Sequence, residues 1–380
     1  MTKEIREFQI FAKPVGAACN LRCSYCYYLN KGKLNHANDS CLMPDDILEN
    51  YIIQHIEASA GSTVSFSWHG GEPLLAGLDF FRKVVSLQRK YQPERSTIVN
   101  GIQTNGTLID EKWCRFLSAE NFVVGISIDG PGPMHNKFRV YRDKAPTLKQ
   151  VLKGYELLQN HRIPCEILCV VSANNVKYPL VVYNFFKELG VKYISFLPLA
   201  EQNRTSLLEA TGRSVPSLAF GVFLSTIFDE WVEKDIGKIK IQLFEEALRA
   251  AFDQEHTLCI FKEKCGGVPV IGHNGDFYSC DHYVDSAHHL GNILENSLGS
   301  LLDSERQQSF GQAKSTLLPL YCLECEVRSM CNGECPKNRF SKTPGGESGL
   351  NYLCKGYKHF FTHCRPFVDA IREVWKNQGR

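Results

Sequence analysis

Three cysteines fall in one short run, Cys19-Asn20-Leu21-Arg22-Cys23-Ser24-Tyr25-Cys26. Thiolate is the usual ligand of iron–sulfur clusters, so a C-x3-C-x2-C loop can hold three irons of a 4Fe–4S cluster and leave the fourth iron open. A structural zinc site needs four protein ligands. No fourth Cys or His stands at zinc-finger spacing here, although His36 is in reach along the chain. A second set of thiols crowds the last third: Cys259, Cys265, Cys280, Cys322, Cys325, Cys331, Cys335 and Cys354. Cys265 and Cys280 frame C-x9-G-x4-C, and Cys322 opens C-x2-C-x5-C-x3-C. Eight thiols suffice for two complete four-cysteine sites. In Gly70-Gly71-Glu72-Pro73 the glycines allow close backbone approach to a ligand, and the carboxylate can accept from an ammonium group.

The chain that positions these groups has 380 residues, 43% of them hydrophobic and 22% charged. That is room for two to three units of about 150 residues each, with a sizeable apolar core. A net charge of +2 supplies no field that favours nucleic acid or an anionic membrane. No apolar run approaches the roughly 18 residues of a membrane span. The charged opening Met1–Arg6 lacks the apolar stretch of a secretory signal, so a cytoplasmic location is expected. A reducing compartment disfavours disulfides, which leaves metal ligation as the leading reason for 16 cysteines.

Short β-rich runs occur at Phe8–Ala12, Val64–Trp68, Ile98–Gln103, Phe122–Ile128, Glu166–Val171 and Tyr193–Leu197. Between them Pro44–Ala58, Phe80–Gln88, Glu111–Leu117, Leu148–Leu158 and Tyr178–Leu189 follow a helical period. The alternation predicts an α/β domain with a parallel sheet and right-handed crossovers, and the spacing leaves a barrel and a flat doubly wound sheet both open. Gln103-Thr104-Asn105-Gly106 and Ser127-Ile128-Asp129-Gly130 put polar residues at strand C-termini, where α/β barrels place ligands. Ser217–Lys234 and Lys240–Phe252 read as two helices that leave the sheet, and Tyr352–Trp375 reads as a further helix. From Leu258 onward the chain is rich in turns and Cys, so bound metal is expected to staple it.

The cysteine triplet with Tyr25 before its third Cys, followed by Gly70-Gly71-Glu72-Pro73, resembles the radical SAM superfamily. The resemblance implies a partial (β/α)6 barrel over residues 1–235, with Cys19, Cys23 and Cys26 holding a 4Fe–4S cluster whose open iron is chelated by S-adenosyl-L-methionine (SAM). It implies that Gly71 and Glu72 hold the SAM amino group. Ser127 and Arg139 would contact its carboxylate and ribose region, and Tyr25 and Leu199-Ala200 would lie by the adenine. The later cysteines resemble the SPASM extension, a small cysteine-rich domain with two auxiliary Fe–S clusters, here over residues 236–380. By that resemblance Cys259, Cys265, Cys280 and Cys335 bind the first auxiliary cluster and Cys322, Cys325, Cys331 and Cys354 the second. Cys41, Cys114, Cys165, Cys169 and Cys364 remain as ordinary thiols.

Within that group, Cys280-Asp281-His282-Tyr283-Val284-Asp285, Gln103–Asp110 and Leu290-Gly291-Asn292-Ile293 are similar to the anaerobic sulfatase-maturating enzymes. The resemblance implies oxidation of a Cys or Ser in a sulfatase, within a C/S-x-P/A-x-R type motif, to Cα-formylglycine. A 5′-deoxyadenosyl radical would remove a Cβ hydrogen, Asp281 would serve as base, and Tyr28 and His69 would lie near the substrate side chain. An external electron donor such as flavodoxin or ferredoxin is implied. A carboxylate beside an anionic cluster and shut from water is expected to have raised proton affinity. Two other readings share some of these features. One is a SPASM maturase that crosslinks a ribosomally made peptide through a thioether or carbon–carbon bond. The other is a zinc-stapled binding module, against which the open cysteine triplet and Gly70–Pro73 argue.

Overall fold

The computed structural model describes residues 8–30, 42–59 and 61–378. His36 and Cys41 lie outside them. Two compact units divide the chain: residues up to Ser127 with Phe138–Cys165 and Gly266–Gly311, and Ile128–Lys137 with Glu166–Cys265 and Gln312–Arg380.

In the first unit, strands β1 (Phe11–Ala12), β2 (Thr63–Trp68), β3 (Thr97–Thr104) and β4 (Val123–Ser127) lie side by side and parallel. In the second unit, β5 (Cys165–Val171, from Glu166 onward in this unit), β6 (Tyr193–Pro198) and β7 (Lys240–Ile241) are likewise parallel. The first unit's sheet continues past β1 through β8 (Val270–Ile271), β9 (Asp276–Tyr278) and β10 (His289–Asn292). Here β8 is parallel to β1, and β9 and β10 are antiparallel additions. The segment that carries Cys280 and Asp281 is thereby hung from the strand that precedes the cysteine triplet.

Apolar spacing explains the helices. Ile47, Leu48, Tyr51, Ile52 and Ile56 form one buried stripe of the helix Asp45–Ala58. Phe80, Phe81, Val84 and Val85 do the same for Leu78–Tyr91, and Phe80 and Phe81 meet the Trp68 ring edge-on at 6.1 and 5.8 Å. Asp110 caps Glu111–Ala119 by accepting from the Trp113 N–H at 2.8 Å.

Two differences from expectation stand out. Lys240–Phe252 does not form a single helix: Lys240 and Ile241 pair with β6 before the helix Gln242–Arg249 begins. The region beyond Leu258 also has more apolar core than its turn-rich sequence suggests. Phe261, Tyr357, Phe360 and Phe361 are fully buried. They join Phe220, Phe228 and Phe244 in a set of aromatic contacts between the helices Ser217–Lys234, Gln242–Arg249 and Cys354–Gln378. The long terminal helix approaches Ser217–Lys234 at glycine. A Cβ on Gly356 would stand 2.1 Å from the Ser217 carbonyl oxygen, and one on Gly221 would stand 2.4 Å from that of Gly356. Gly356→Ala is therefore expected to cost about 1–3 kcal/mol by overpacking, read as a lower urea midpoint at unchanged m-value. A wild-type midpoint would show that these helices part without cost.

Candidate functional site

The loop after β1 is held by backbone on two sides. The N–H groups of Gly71 and Glu72 donate to the carbonyls of Gly16 and Ala18 at 2.9 and 2.8 Å, and that of His69 to Ala12 at 2.8 Å. On the other side, Arg22 and Ser24 donate to Val140 and Phe138 at 2.9 and 3.1 Å. A Cβ on Gly71 would stand 2.0 Å from the Ala18 carbonyl oxygen, so only glycine fits there. Polar side chains from the end of β3 complete the grip. The Asn105 amide donates to the Asn20 side chain at 2.9 Å and points at the Cys19 sulfur at 3.7 Å, and Asn20 donates to Thr107 at 2.8 Å. Cys19, Cys23 and Cys26, with Leu21, Tyr28, Gly71 and Arg142, line a cavity of about 330 Å³.

This cavity suits a thiolate-bound cluster. Burial pushes the Cys19 thiol up to about 12, so in the bare protein it stays protonated at neutral pH and iron must take the place of the proton. Beside the loop, Glu72 is fully buried and accepts from Thr104 Oγ1 at 2.7 Å and from the N–H groups of Asn105 and Leu74 at 2.7 and 3.1 Å. Burial pushes its carboxyl up to about 7 against these donors. A carboxylate offers about four lone-pair sites, so an ammonium can still be accommodated and would offset the burial. Ser127 is buried at the end of β4. Arg139 is buried with its guanidinium 5.5 Å from the Tyr25 ring centre, and Tyr25 meets Phe138 edge-on at 5.6 Å. The structure thus brings Tyr25, Gly71, Glu72, Ser127 and Arg139 into one unit with the cysteine loop, while Ala200, buried after β6, belongs to the second unit.

Asp281 also lies in the first unit and is buried. Its carboxylate pairs with the Lys13 ammonium at 2.8 Å and accepts from the hydroxyls of both Tyr27 and Tyr28. Lys13 is itself buried and lies 4.7 Å from the Tyr28 ring centre. The protein's own groups work against a raised proton affinity at Asp281. Burial alone would push the carboxyl up, but Lys13, the His282 imidazole and the Tyr27 hydroxyl outweigh it and hold the group well below the usual carboxylate range. Burial pulls the Lys13 ammonium down while Asp281 pulls it up. His69 stacks on Phe11 with ring centres 3.9 Å apart, and burial and then Lys13 lower its imidazole to about 3, so it is neutral. Sequence reasoning missed Lys13 and Tyr27. A lysine at the end of a strand reads as solvated until the fold buries it, and Tyr27 is masked by the equally plausible Tyr28.

In the second unit, Cys322, Cys325, Cys331 and Cys354 line one pocket together with Glu334, Asn351 and Tyr357. Cys259, Cys265 and Cys335 belong to the same unit and all act electrostatically on Lys314, while Cys280 belongs to the first. Burial raises the thiols of Cys259, to about 11, and of Cys331. Among the remaining cysteines, Cys114, Cys169 and Cys364 are buried and Cys165 is half-buried. No helix among the described residues is long and apolar enough to cross a membrane.

Comparison with known proteins agrees with this geometry. The family model for the radical SAM superfamily matches residues 14–176, and that for the SPASM iron–sulfur cluster-binding domain matches 259–326. The chain is 43% identical to the serine-type anaerobic sulfatase-maturating enzyme of Bacteroides thetaiotaomicron, over 97% of this chain and 92% of that one. It is 33% identical to the cysteine-type enzyme of Clostridium perfringens, over 94% and 96% of the two chains. The solved structure of anSMEcpe with bound AdoMet and Cp18Cys peptide superposes with a TM-score of 0.86 at 31% identity, covering 96% of this chain and 99% of that one. The fold is therefore an α/β radical SAM partial barrel with a cysteine-rich SPASM domain, and the molecule is an iron–sulfur, AdoMet-dependent radical enzyme. The chain belongs to the anaerobic sulfatase-maturating enzyme family.

The close approach at Gly71 yields a direct test. Gly71→Ala is expected to displace the cysteine loop and to lose about 4 Fe per chain relative to wild type after anaerobic reconstitution. Full iron retention would show that the loop tolerates the side chain.

Proposed function

We propose that this protein oxidises an active-site Cys or Ser of a sulfatase, within a C/S-x-P/A-x-R type motif, to Cα-formylglycine. The observation that carries the reading is a juxtaposition: Tyr28 lines the cavity of the cysteine loop and also donates its hydroxyl to Asp281. A buried carboxylate thus lies one side chain away from the cavity. We assign Cys19, Cys23 and Cys26 to the radical cluster, Cys259, Cys265, Cys280 and Cys335 to the first auxiliary cluster, and Cys322, Cys325, Cys331 and Cys354 to the second. Gly71, Glu72, Ser127, Arg139, Tyr25 and Ala200 are the proposed SAM contacts. We place the boundary between barrel and SPASM domain at residues 235 and 236, the protein in the cytoplasm, and a flavodoxin or ferredoxin as the external donor.

When bound, SAM on the first cluster supplies a 5′-deoxyadenosyl radical that takes one Cβ hydrogen atom from the target, and the auxiliary clusters supply a one-electron acceptor. The chain's own residues do the rest. Asp281 accepts the proton of the target thiol or hydroxyl. Its carboxylate stays ionised because Lys13 faces it at 2.8 Å, and the Tyr27 and Tyr28 hydroxyls hold it until the substrate arrives. The substrate group replaces one of these phenols, so the base is poised without ever being exposed to bulk water. Loss of a Cβ hydrogen atom, one proton and one electron leaves the aldehyde from Ser, or a thioaldehyde from Cys that water hydrolyses to the aldehyde with release of sulfide.

Two outcomes check this. Reconstituted protein is expected to hold about 12 Fe per chain, the content of three 4Fe–4S clusters, and a count near 4 would remove both auxiliary assignments. Asp281→Asn keeps the shape and removes the basicity. This variant is expected to cleave SAM to 5′-deoxyadenosine yet to make formylglycine more slowly by a factor on the order of 10² or more. Near-normal aldehyde yield would eliminate Asp281 as the base, and loss of SAM cleavage would point to a structural role.

A further inference from the structure

Lys314 is a cation with no exposed surface, in the second unit. Its ammonium donates to the backbone carbonyls of Cys259 at 2.9 Å, Ile260 at 2.8 Å and Lys262. Three acceptors match the three N–H bonds of an ammonium, whereas a neutral amine has only two. Arg339 stands next to it. Its guanidinium donates to the carbonyls of Lys314 at 2.6 Å, Gly333 at 3.1 Å, Asn332 at 3.3 Å and Glu334 at 3.4 Å. Among the described residues neither cation has a carboxylate in salt-bridge contact. The one acid that acts electrostatically on both, Glu334, is buried, with its carboxylate accepting from the amides of Asn338 at 3.0 Å and Asn351 at 2.5 Å.

A fully buried ammonium and a half-buried guanidinium whose hydrogen bonds all go to carbonyl oxygens are costly, since a buried charge is ordinarily paired with an opposite charge. Besides Glu334, the ionisable groups that act on them are thiols: Cys265, Cys259 and Cys335 on Lys314, and Cys322, Cys265 and Cys335 on Arg339. Arg339 is therefore within electrostatic reach of members of both proposed auxiliary ligand sets. The hydrogen bonds have the same layout. Lys314 grips the loop that carries Cys259, and Arg339 ties Lys314 to residues 332–334, the link between Cys331 and Cys335.

We propose that Lys314 and Arg339 are a pair of positioning residues that supply the counter-charge of the auxiliary clusters and raise their reduction potential. The proposal rests on the assignment of two auxiliary clusters to these thiols. A cluster held by four thiolates is a net anion, and its bound charge completes the pairing that the protein alone leaves open. Net charge and hydrogen bonding around a cluster set its potential. A nearby cation favours the reduced, more negative state, so the pair makes each cluster a better electron acceptor, as oxidation of the substrate requires.

The test begins with iron in wild-type protein. About 12 Fe per chain admits the comparison, and a count near 4 overturns the proposal together with the auxiliary assignment on which it rests. Lys314→Gln keeps two N–H donors for the loop and removes the charge. With iron retained, EPR-monitored redox titration is expected to show an auxiliary signal appearing at lower potential than in wild type. Unchanged potentials at full iron content would overturn the proposal while leaving the cluster assignment intact. If Lys314→Gln instead loses auxiliary iron, Lys314→Arg decides. Iron restored by the charged variant supports the counter-charge, and equal loss in both variants overturns it in favour of packing alone.

Discussion

The cysteine loop depends on one close approach, the backbone of Gly71 against that of Ala18. Because no side chain stands between them, the segment after β2 runs in hydrogen-bonding contact with residues 12–18, and two consecutive N–H groups, of Gly71 and Glu72, bind the loop directly. A loop of three thiols has no apolar core of its own. Its shape comes from that contact on one side, the 138–140 segment on the other and the Asn105 and Thr107 side chains beneath. The same contact sets the Glu72 carboxylate at the end of β3, where Thr104 and Asn105 donate to it. Cluster ligands and the proposed ammonium acceptor are thus parts of a single backbone arrangement.

Asp281 reaches this arrangement by sheet pairing. β8 lies parallel to β1, and β9 turns back to deliver the segment that begins at Ser279. Lys13, one residue past the end of β1, meets Asp281 in the interior of the first unit. An isolated buried carboxylate would favour its neutral form, and a neutral acid cannot take a proton. The lysine and two phenols favour the ionised form of the buried group, and in the proposed reaction it would exchange a phenol partner for the substrate rather than shed solvent. The protein's own groups thus oppose the raised proton affinity expected of a carboxylate near an anionic cluster. In the proposed reaction, proton transfer would be drawn by the acidity that a thiol or hydroxyl gains once its neighbouring carbon has lost a hydrogen atom.

Much of this is legible in the chain because the signals are local. The six strands from β1 to β6 and the helices Asp45–Ala58 and Ser217–Lys234 show apolar periods that survive in the fold, and the cysteine spacing by itself points to thiol-bound metal. What stays hidden depends on long-range contact. The helix Glu305–Thr316 is polar over most of its length and offers no period to detect. β7 and β8 are two residues each, too short to signal. The burial of Lys13 and Lys314 follows from partners 268 and 52 to 55 positions away, which no window along the sequence can see.

The central claim is that the radical chemistry of this site ends as an aldehyde on a sulfatase Cys or Ser. The most direct measurement is anaerobic incubation of reconstituted protein with SAM, reductant and two peptides that differ only in carrying Cys or Ser at the head of the target motif. Hydrazine trapping and fragment mass analysis then locate the product. The account predicts a trapped aldehyde at the target position of at least one peptide, formed together with 5′-deoxyadenosine. Production of 5′-deoxyadenosine with both peptides left unmodified, or with an internal thioether or carbon–carbon crosslink in place of the aldehyde, would contradict it.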